Sequence, residues 1–460
     1  MITDFLQIDK SDKSPIYQQI YNKITQSIEN GGLTKGSKLP SIRKLSKELN
    51  ISKTTVESAY NQLSAGGYIK NIPQRGYFVE ADLGIIGKKN ETRNLSNSTS
   101  KKKIYKYDFS TKNVDYGTNL TEWKKEIKNI LNKEYLLKSY GDPQGEYALR
   151  TALQRYAFTV RGVHCSADNI VIGAGTQTLL YILCGLIGVK KRVLLEKGSF
   201  VQAEQVFRDF GCEIYYYKCD YDGIDLQYID KYKPDIVMLN PNFNTESGTS
   251  TSINRRMELI MKCSETGTMI FEDDYNGELR YSSIPTHCIQ SYDCENTVYI
   301  GSFSKIMLPS VRIGYMVLPE KLLVNFNKRI SSYNQTSSKT EQLALSEYIS
   351  KGLLEKRLRK LRRIYAEKSK ITLDALNKLF KNEISYVFSE TSLSVYIKHK
   401  TPVDKDMLFK ECEINSVRIN ESPFEKFDYI ISFGGIETEQ IPDGVKALKN
   451  SAEKAKRRQP

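Results

Sequence analysis

Apolar residues in the first part of the chain recur with the period of helices and then of strands. In SPIYQQIYNKITQSIENGGL, Ile16, Ile20, Ile24 and Ile28 fall every fourth residue, with Tyr17 and Tyr21 beside them. That spacing predicts one face of a helix, which Gly31-Gly32 ends. LPSIRKLSKELN predicts a second helix, with Ser41 as N-cap after Pro40 and with Ile42, Leu45 and Leu49 inward. A tight turn at Asn50-Ile51-Ser52 leads to a third helix that buries Val56, Tyr60 and Leu63. YIKNIPQRGYFVE reads as two short strands joined at Gln74-Arg75-Gly76. Helix, helix, turn, helix and hairpin, in that order, is the plan of a winged helix-turn-helix.

The periodicity stops at DLGIIGKKNETRNLSNSTSKKK. This stretch is polar and has too little apolar surface to fold, so it predicts a flexible linker. The chain thus divides into residues 1–81, a linker at 82–104 and a block at 105–460. The block alternates strand-like and helical patterns, which predicts an α/β fold. With 460 residues the chain is long enough for several domains.

No apolar run reaches the roughly 18 residues of a membrane span, and MITDFLQIDKSDKSP lacks the basic start and apolar stretch of a signal peptide. A cytoplasmic protein without membrane contact is expected. The eight cysteines are dispersed, with no CxxC pair, and read as reduced thiols. With three histidines, no structural metal site is expected. The formal net charge of +14 favours an anionic partner such as nucleic acid, or reflects a lysine-rich surface.

In a helix-turn-helix, the second helix of the pair enters the major groove by its N-terminal end. Here that end is Ser52-Lys53-Thr54-Thr55, short donors and a cation suited to phosphates and base edges. Arg43 flanks it on one side and Arg75 at the wing tip on the other. The segment from Pro15 to Val79 closely resembles the DNA-binding domain of GntR-type regulators. The pattern G-x-K-LPS-x-R-x-L-x-x-x-L-x-I-S-x-x-T-V-x-x-A-Y-x-x-L-x-x-x-G-Y-I, closed by RGYFV, carries the resemblance. It implies that Arg43, Lys53, Thr54, Thr55, Arg75 and Gly76 contact double-stranded DNA, with Ser41 and Ser52 grouped beside them.

YIGSFSKIMLPSVRIGYMVLP is mostly apolar and small, yet it holds Lys305 and Arg312. A buried amine is costly, so it usually has a depressed pKa or is used covalently, as in a Schiff base. Pyridoxal phosphate also needs a carboxylate at its ring nitrogen, phosphate donors and a ring stacker. TMIFEDDYNGELRY predicts a strand ending in acids, where Asp273 faces the ligand crevice of an α/β sheet and Tyr275 reaches the phenolic oxygen. The same acids also fit a solvated loop. NIVIGAGTQTLLYILCGLI predicts a strand, a turn and a helix whose first N–H groups, at Gly175, Thr176 and Gln177, suit a phosphate. Ser302, Ser304 and Arg312 are further phosphate partners, with Arg312 neutralising its charge.

From about Ile104 onward the block looks like a fold-type I, pyridoxal-phosphate-dependent aminotransferase. SYGDPQGEYALRTAL, GAGTQ, EKGSF, EDDY and SFSKIMLPSVRIGY carry that likeness. Joined to the GntR-type head, the chain resembles the MocR/GabR family of transcription regulators. The resemblance implies that Lys305 is the Schiff-base lysine, Asp273 the pyridinium partner and Tyr275 the ring-oxygen contact. Phe200 matches the ring stacker, and Gly175, Thr176, Ser302 and Arg312 match the phosphate site. Tyr140 matches a tyrosine that reaches the cofactor of a neighbouring subunit, which implies a homodimer, domain-swapped head to tail. It further implies an aminotransferase-like domain used as a sensor of pyridoxal phosphate, or of an amine or amino acid, with at most a residual half-reaction.

Two departures stand out. LNPNFNTESG has Glu246 where the family has proline, with Asn244 the expected oxygen ligand. DYIISFGG has Ile430 where relatives carry an arginine that clamps the substrate carboxylate. Either the effector is not an α-amino carboxylate, pyridoxal phosphate itself included, or another arginine such as Arg208 or Arg418 supplies the clamp.

Overall fold

A computed structural model describes residues 6, 8–9, 14–81, 104–110, 120–244, 246–281, 286–388 and 391–456. The expected linker at 82–104 lies outside the described residues apart from Ile104. The chain forms two compact units, Met1–Lys102 and Lys103–Pro460.

The smaller unit has three helices, α1 (Ile16–Glu29), α2 (Ile42–Glu48) and α3 (Lys53–Ala65), followed by a hairpin of β1 (Ile69–Ile72) and β2 (Gly76–Val79). Ile20, Ile24 and Ile28 of α1 are buried against Val56, Tyr60 and Leu63 of α3, as the four-residue spacing predicts. Ile42 and Leu49 only border this core, while Leu45 is fully inside it. The Tyr60 hydroxyl donates to the Pro40 carbonyl at 2.9 Å and so ties α3 to the start of α2. Leu39 N–H donates to the Tyr77 carbonyl, which docks the wing on the same point.

Among the described residues, the larger unit is built on a seven-stranded sheet. Its strands are β3 (Ile170–Gly173), β4 (Arg192–Glu196), β5 (Glu213–Tyr217), β6 (Ile236–Leu239), β7 (Met269–Asp274), β8 (Thr297–Ser302) and β9 (Gly314–Val317). Their order is β3-β9-β8-β7-β6-β4-β5, with only β9 antiparallel. β3, β6 and β9 are buried along their whole length, which is why IVIG, IVML and GYMV read as continuous apolar runs. The helices α4 (Thr176–Ile187), α5 (Val201–Asp209) and α6 (Ile253–Thr266) follow β3, β4 and β6. The 28-residue helix α7 (Leu353–Phe380) leads to a second, antiparallel sheet. This has strands β10 (Ile384–Phe388), β11 (Ser394–His399), β12 (Asn420–Glu421) and β13 (Tyr429–Ser432), ordered β10-β11-β13-β12.

Three consecutive acids end β7, and strand alternation sends them to opposite faces. Glu272 accepts hydrogen bonds from the Ile289 and Gln290 N–H groups at 2.8 and 3.0 Å. Asp274 accepts from Arg161 Nε at 2.5 Å, Tyr299 OH at 2.9 Å, Asn242 Nδ2 at 2.6 Å and Gly277 N–H at 3.0 Å. Arg161 is 1 % exposed and also donates to Asn242 Oδ1 and to the Thr286 carbonyl. These acids are buried structure, so the solvated-loop reading of EDDY falls.

Breaking a buried ion pair from one side leaves an uncompensated charge. Arg161→Ala is therefore expected to lower unfolding stability by about 3–5 kcal/mol, read as a lower urea midpoint at an unchanged slope. Asp274→Asn in the same chain should restore part of that loss. An Arg161→Ala protein with a wild-type midpoint would refute the role of the pair.

Candidate cofactor cleft and nucleic-acid interface

The C-terminal edges of β3, β4, β7 and β8 face a cavity of about 620 Å³. Ten of the twelve residues expected from the sequence line it: Gly175, Thr176, Gln177, Phe200, Asp273, Tyr275, Ser302, Ser304, Lys305 and Arg312. Ser199 and Gln202 complete the wall.

One end of the cavity is built for an anion. Thr176 and Gln177 open α4, where the first N–H groups have no intrahelical acceptors. Gly175 differs from the expectation in one respect, because its N–H already donates to the Gly173 carbonyl at 2.8 Å. Its contribution is space and conformation. It has φ +95°, and a Cβ there would come within 2.8 Å of Arg312 Nη2. Arg312 itself sits in the left-handed region at φ 49° and donates to the Ala174 carbonyl at 3.0 Å. Ser302 Oγ donates to Ser304 Oγ at 3.3 Å, which completes a cluster of donors around the α4 start.

The other end holds a carboxylate without a partner. Asp273 is 6 % exposed, and its Oδ1 has no hydrogen bond among the described residues. Burial, reinforced by neighbouring Asp274, pushes its carboxyl up to about 7. A cationic ring N–H would satisfy that oxygen and restore the ionised form. Lys305 makes no hydrogen bond or ion pair among the described residues, and burial lowers its pKa, which favours the nucleophilic free amine. Tyr275 is raised by burial and by Asp273, with Asn240 acting against both. Half-buried Phe200, at the N-terminal end of α5, offers a flat face beside them. The donors, the orphaned carboxylate, the free amine and the aromatic together fit pyridoxal phosphate.

Two expected residues stand elsewhere. Asn244 is a correction: its Nδ2 donates to the Asp220 and Tyr221 carbonyls at 2.8 and 3.2 Å, and its Oδ1 accepts from Glu246 N–H. These bonds hold the loop after β6, so the side chain has no donor left for a ligand oxygen. Asn240, which directly follows β6, lines a compartment beside the cavity with Asp273 and Tyr275. A polar residue closing an apolar parallel strand was the available signal for it. Tyr140 is fully exposed and does not reach the cleft of its own chain.

Neither expected substitute for the clamp reaches the cleft. Arg208 is bound to Glu204 at 2.7 Å and to the Tyr216 hydroxyl at 3.3 Å. Arg418 faces Asp108 at 3.8 Å and stacks over Tyr105. Ile430 of β13 lies directly across from Tyr396 of β11.

In the smaller unit, Ser41 caps α2 by accepting from Lys44 N–H at 3.2 Å, and Ser52 caps α3 by accepting from Thr55 N–H at 3.1 Å. The two serines thus act first as caps. Arg43, Lys53, Thr54 and Arg75 are exposed, with Thr55 and Gly76 half-buried next to them. Gln74 and Gly76 take positive φ at the wing tip, and Arg75 lies over the Phe78 ring at 5.7 Å.

The sequence pattern of bacterial regulatory proteins of the gntR family matches residues 16–79, and that of aminotransferase class I and II matches residues 105–448. The chain is therefore a transcriptional regulator with a GntR-type DNA-binding head and an aminotransferase-like domain. It belongs to the MocR/GabR family. The HTH-type transcriptional regulator YdeL of Bacillus subtilis is 33 % identical over 97 % of this chain and 98 % of its own length. The probable rhizopine catabolism regulatory protein MocR of Rhizobium meliloti is 23 % identical over 97 % and 95 %. Among solved structures, the α-aminoadipate aminotransferase LysN of Thermus thermophilus, complexed with N-(5'-phosphopyridoxyl)-L-leucine, has a TM-score of 0.66 and 22 % identity. That match covers 76 % of this chain and 92 % of LysN, and it establishes the fold.

An acid with a raised pKa costs stability once pH passes its unfolded value near 3.9, and the cost is complete above the folded value. For Asp273 the window runs from about 4 to about 7. Asp273→Asn should therefore stabilise the cofactor-free protein, by up to about 4 kcal/mol at pH 8 and by less at pH 5. It should also weaken pyridoxal phosphate binding at least tenfold. Melting curves at both pH values, with a cofactor titration, test this. Equal stabilisation at both pH values would refute the assignment.

Proposed function

We propose that this regulator senses pyridoxal phosphate, or a primary amine reacting with it, in the cleft around Lys305, and that occupancy changes how its GntR-type heads engage DNA. The observation that carries the reading is the buried Asp273 oxygen sharing a cavity with Lys305, neither with a partner among the described residues. Pyridoxal phosphate, when bound, supplies an aldehyde that condenses with amines. In this reading Lys305 holds the aldehyde carbon, and Asp273 holds the ring nitrogen. Tyr275 and Asn240 lie at the phenolic oxygen, and Phe200 covers the ring. Thr176, Gln177, Ser302, Ser304 and Arg312 hold the phosphate.

In this reading the domain is a sensor more than a catalyst, since among the described residues the one arginine lining the cavity, Arg312, serves the phosphate, and none is left to orient a substrate carboxylate. We assign residues 1–81 to DNA binding, 82–104 to the linker and 105–460 to sensing and dimerisation. Fully exposed Tyr140 fits a role in the cleft of a second copy, in a head-to-tail homodimer. A ligand biases such an assembly only through different affinity for its arrangements.

The test is a visible spectrum of the purified protein with added pyridoxal phosphate, beside fluorescence anisotropy on a duplex selected by the wild-type protein from a random library. Lys305→Ala should lose the long-wavelength absorbance band and the response to ligand while keeping DNA binding. Arg43→Ala should lose about 1–3 kcal/mol of DNA binding and keep the band. A band that persists in Lys305→Ala, or disappears in Arg43→Ala, would overturn the division of roles.

A further inference from the structure

Beside the main cavity lies a smaller compartment of about 40 Å³ that shares Phe200, Asp273 and Tyr275 with it. Its outer wall is aromatic: Phe243 stacks on Tyr396 at 5.2 Å, and Tyr396 meets Phe424 at 5.6 Å. Glu196, at the end of β4, lines it as well. Ile430 lies directly opposite Tyr396, on the same face of the smaller sheet. Among the described residues, no lysine or arginine lines this compartment, and a third compartment that shares Tyr275 and Tyr396 with it has only Lys305 as a cation.

A carboxylate entering here finds no guanidinium. It loses its hydration to aromatic faces and meets a like charge in Glu196, an arrangement that rejects it. The same wall favours hydrocarbon or aromatic groups through burial, and an ammonium through the ring faces. We infer that the cleft recognises a primary amine with no carboxylate on its amine-bearing carbon, held by its tail against the wall of Phe243, Tyr396 and Phe424. This rests on the reading of the main cavity as a pyridoxal phosphate site.

The experiment is a spectral titration of the cofactor-loaded protein with matched pairs: phenylalanine against phenethylamine, and lysine against cadaverine. In at least one pair the decarboxylated member should shift the band at a concentration at least tenfold below the amino acid. Ile430→Arg should reverse that preference, and Ile430→Leu should keep it. Because a buried arginine can prevent folding, Phe243→Ala serves as a second variant, expected to weaken the amine at least fivefold with the unliganded band unchanged. Amino acids binding as tightly as their amines would overturn the inference. So would a band that no amine shifts, while leaving the cofactor site intact. A protein that never forms the band would overturn the cofactor reading itself.

Discussion

The larger unit depends on how one strand disposes of three consecutive carboxylates. A run of acids at the end of a buried parallel strand is unfavourable unless each finds donors or a reason to stay neutral. Alternation solves two of the three. Glu272 takes two backbone N–H groups, and Asp274 takes Arg161, Tyr299, Asn242 and Gly277. Those contacts fix the loop after β6, the helix that carries Arg161 and the neighbouring strand β8. Asp273, the odd residue of the run, is thereby forced onto the ligand face, where its Oδ1 has no partner among the described residues. The orphaned oxygen is a product of the same alternation that satisfies its neighbours. A cationic ring nitrogen removes the penalty, so ligand binding and local stability are linked.

Much of this was legible in the sequence, and the reasons differ by region. In the head, the four-residue spacing of isoleucines and the Ser caps determine helices almost alone, because each signal is local. In the cleft, glycine turns and an isolated lysine picked out residues that the fold brings to one cavity, because the chemistry restricts the residue types. The loop after β6 was misread. Asn244 looked like a ligand, but its capacity is used by the Asp220 and Tyr221 carbonyls, and such long-range pairing leaves no local pattern. Tyr396 and Phe424 were equally invisible: they belong to ordinary alternating or loop segments, and only the packing of the second sheet brings them to the cleft. Asn240 was readable in principle, as a polar residue directly after an apolar strand.

In the proposed reading, isoleucine at position 430 favours sensing over efficient turnover of α-amino acids. Transaminating an amino acid requires the substrate to be held in one orientation, and a bidentate guanidinium is the efficient means. An aliphatic side chain on a buried strand cannot substitute, and the nearby Arg208 and Arg418 are committed to Glu204 and Asp108. The pocket nevertheless keeps an amine of lowered pKa, an orphaned acid and an anion site. Those parts suffice for the proposed sensing role, because detecting a ligand requires affinity and not turnover.

In the proposed reading, the position of the cleft also bears on how ligand binding becomes a signal. Its walls come from around two sheets: Asp273 lies on the larger, Lys305 and Phe200 in the segments that follow its strands β8 and β4, and Tyr396 on the smaller. The exposed contacts joining these lobes include Lys197 with Glu425 at 2.6 Å and Lys426 with Glu246 at 3.0 Å. Surface pairs of this kind contribute only about 0–1 kcal/mol each, so they do little to lock the lobes together. A ligand packed between Phe200 and Tyr396 buries apolar surface of both at once. It therefore stabilises the arrangement in which the lobes meet, and with it any assembly that requires that arrangement. The magnitude needed is small: shifting a two-state balance a hundredfold takes about 2.7 kcal/mol, comparable to burying a single large side chain.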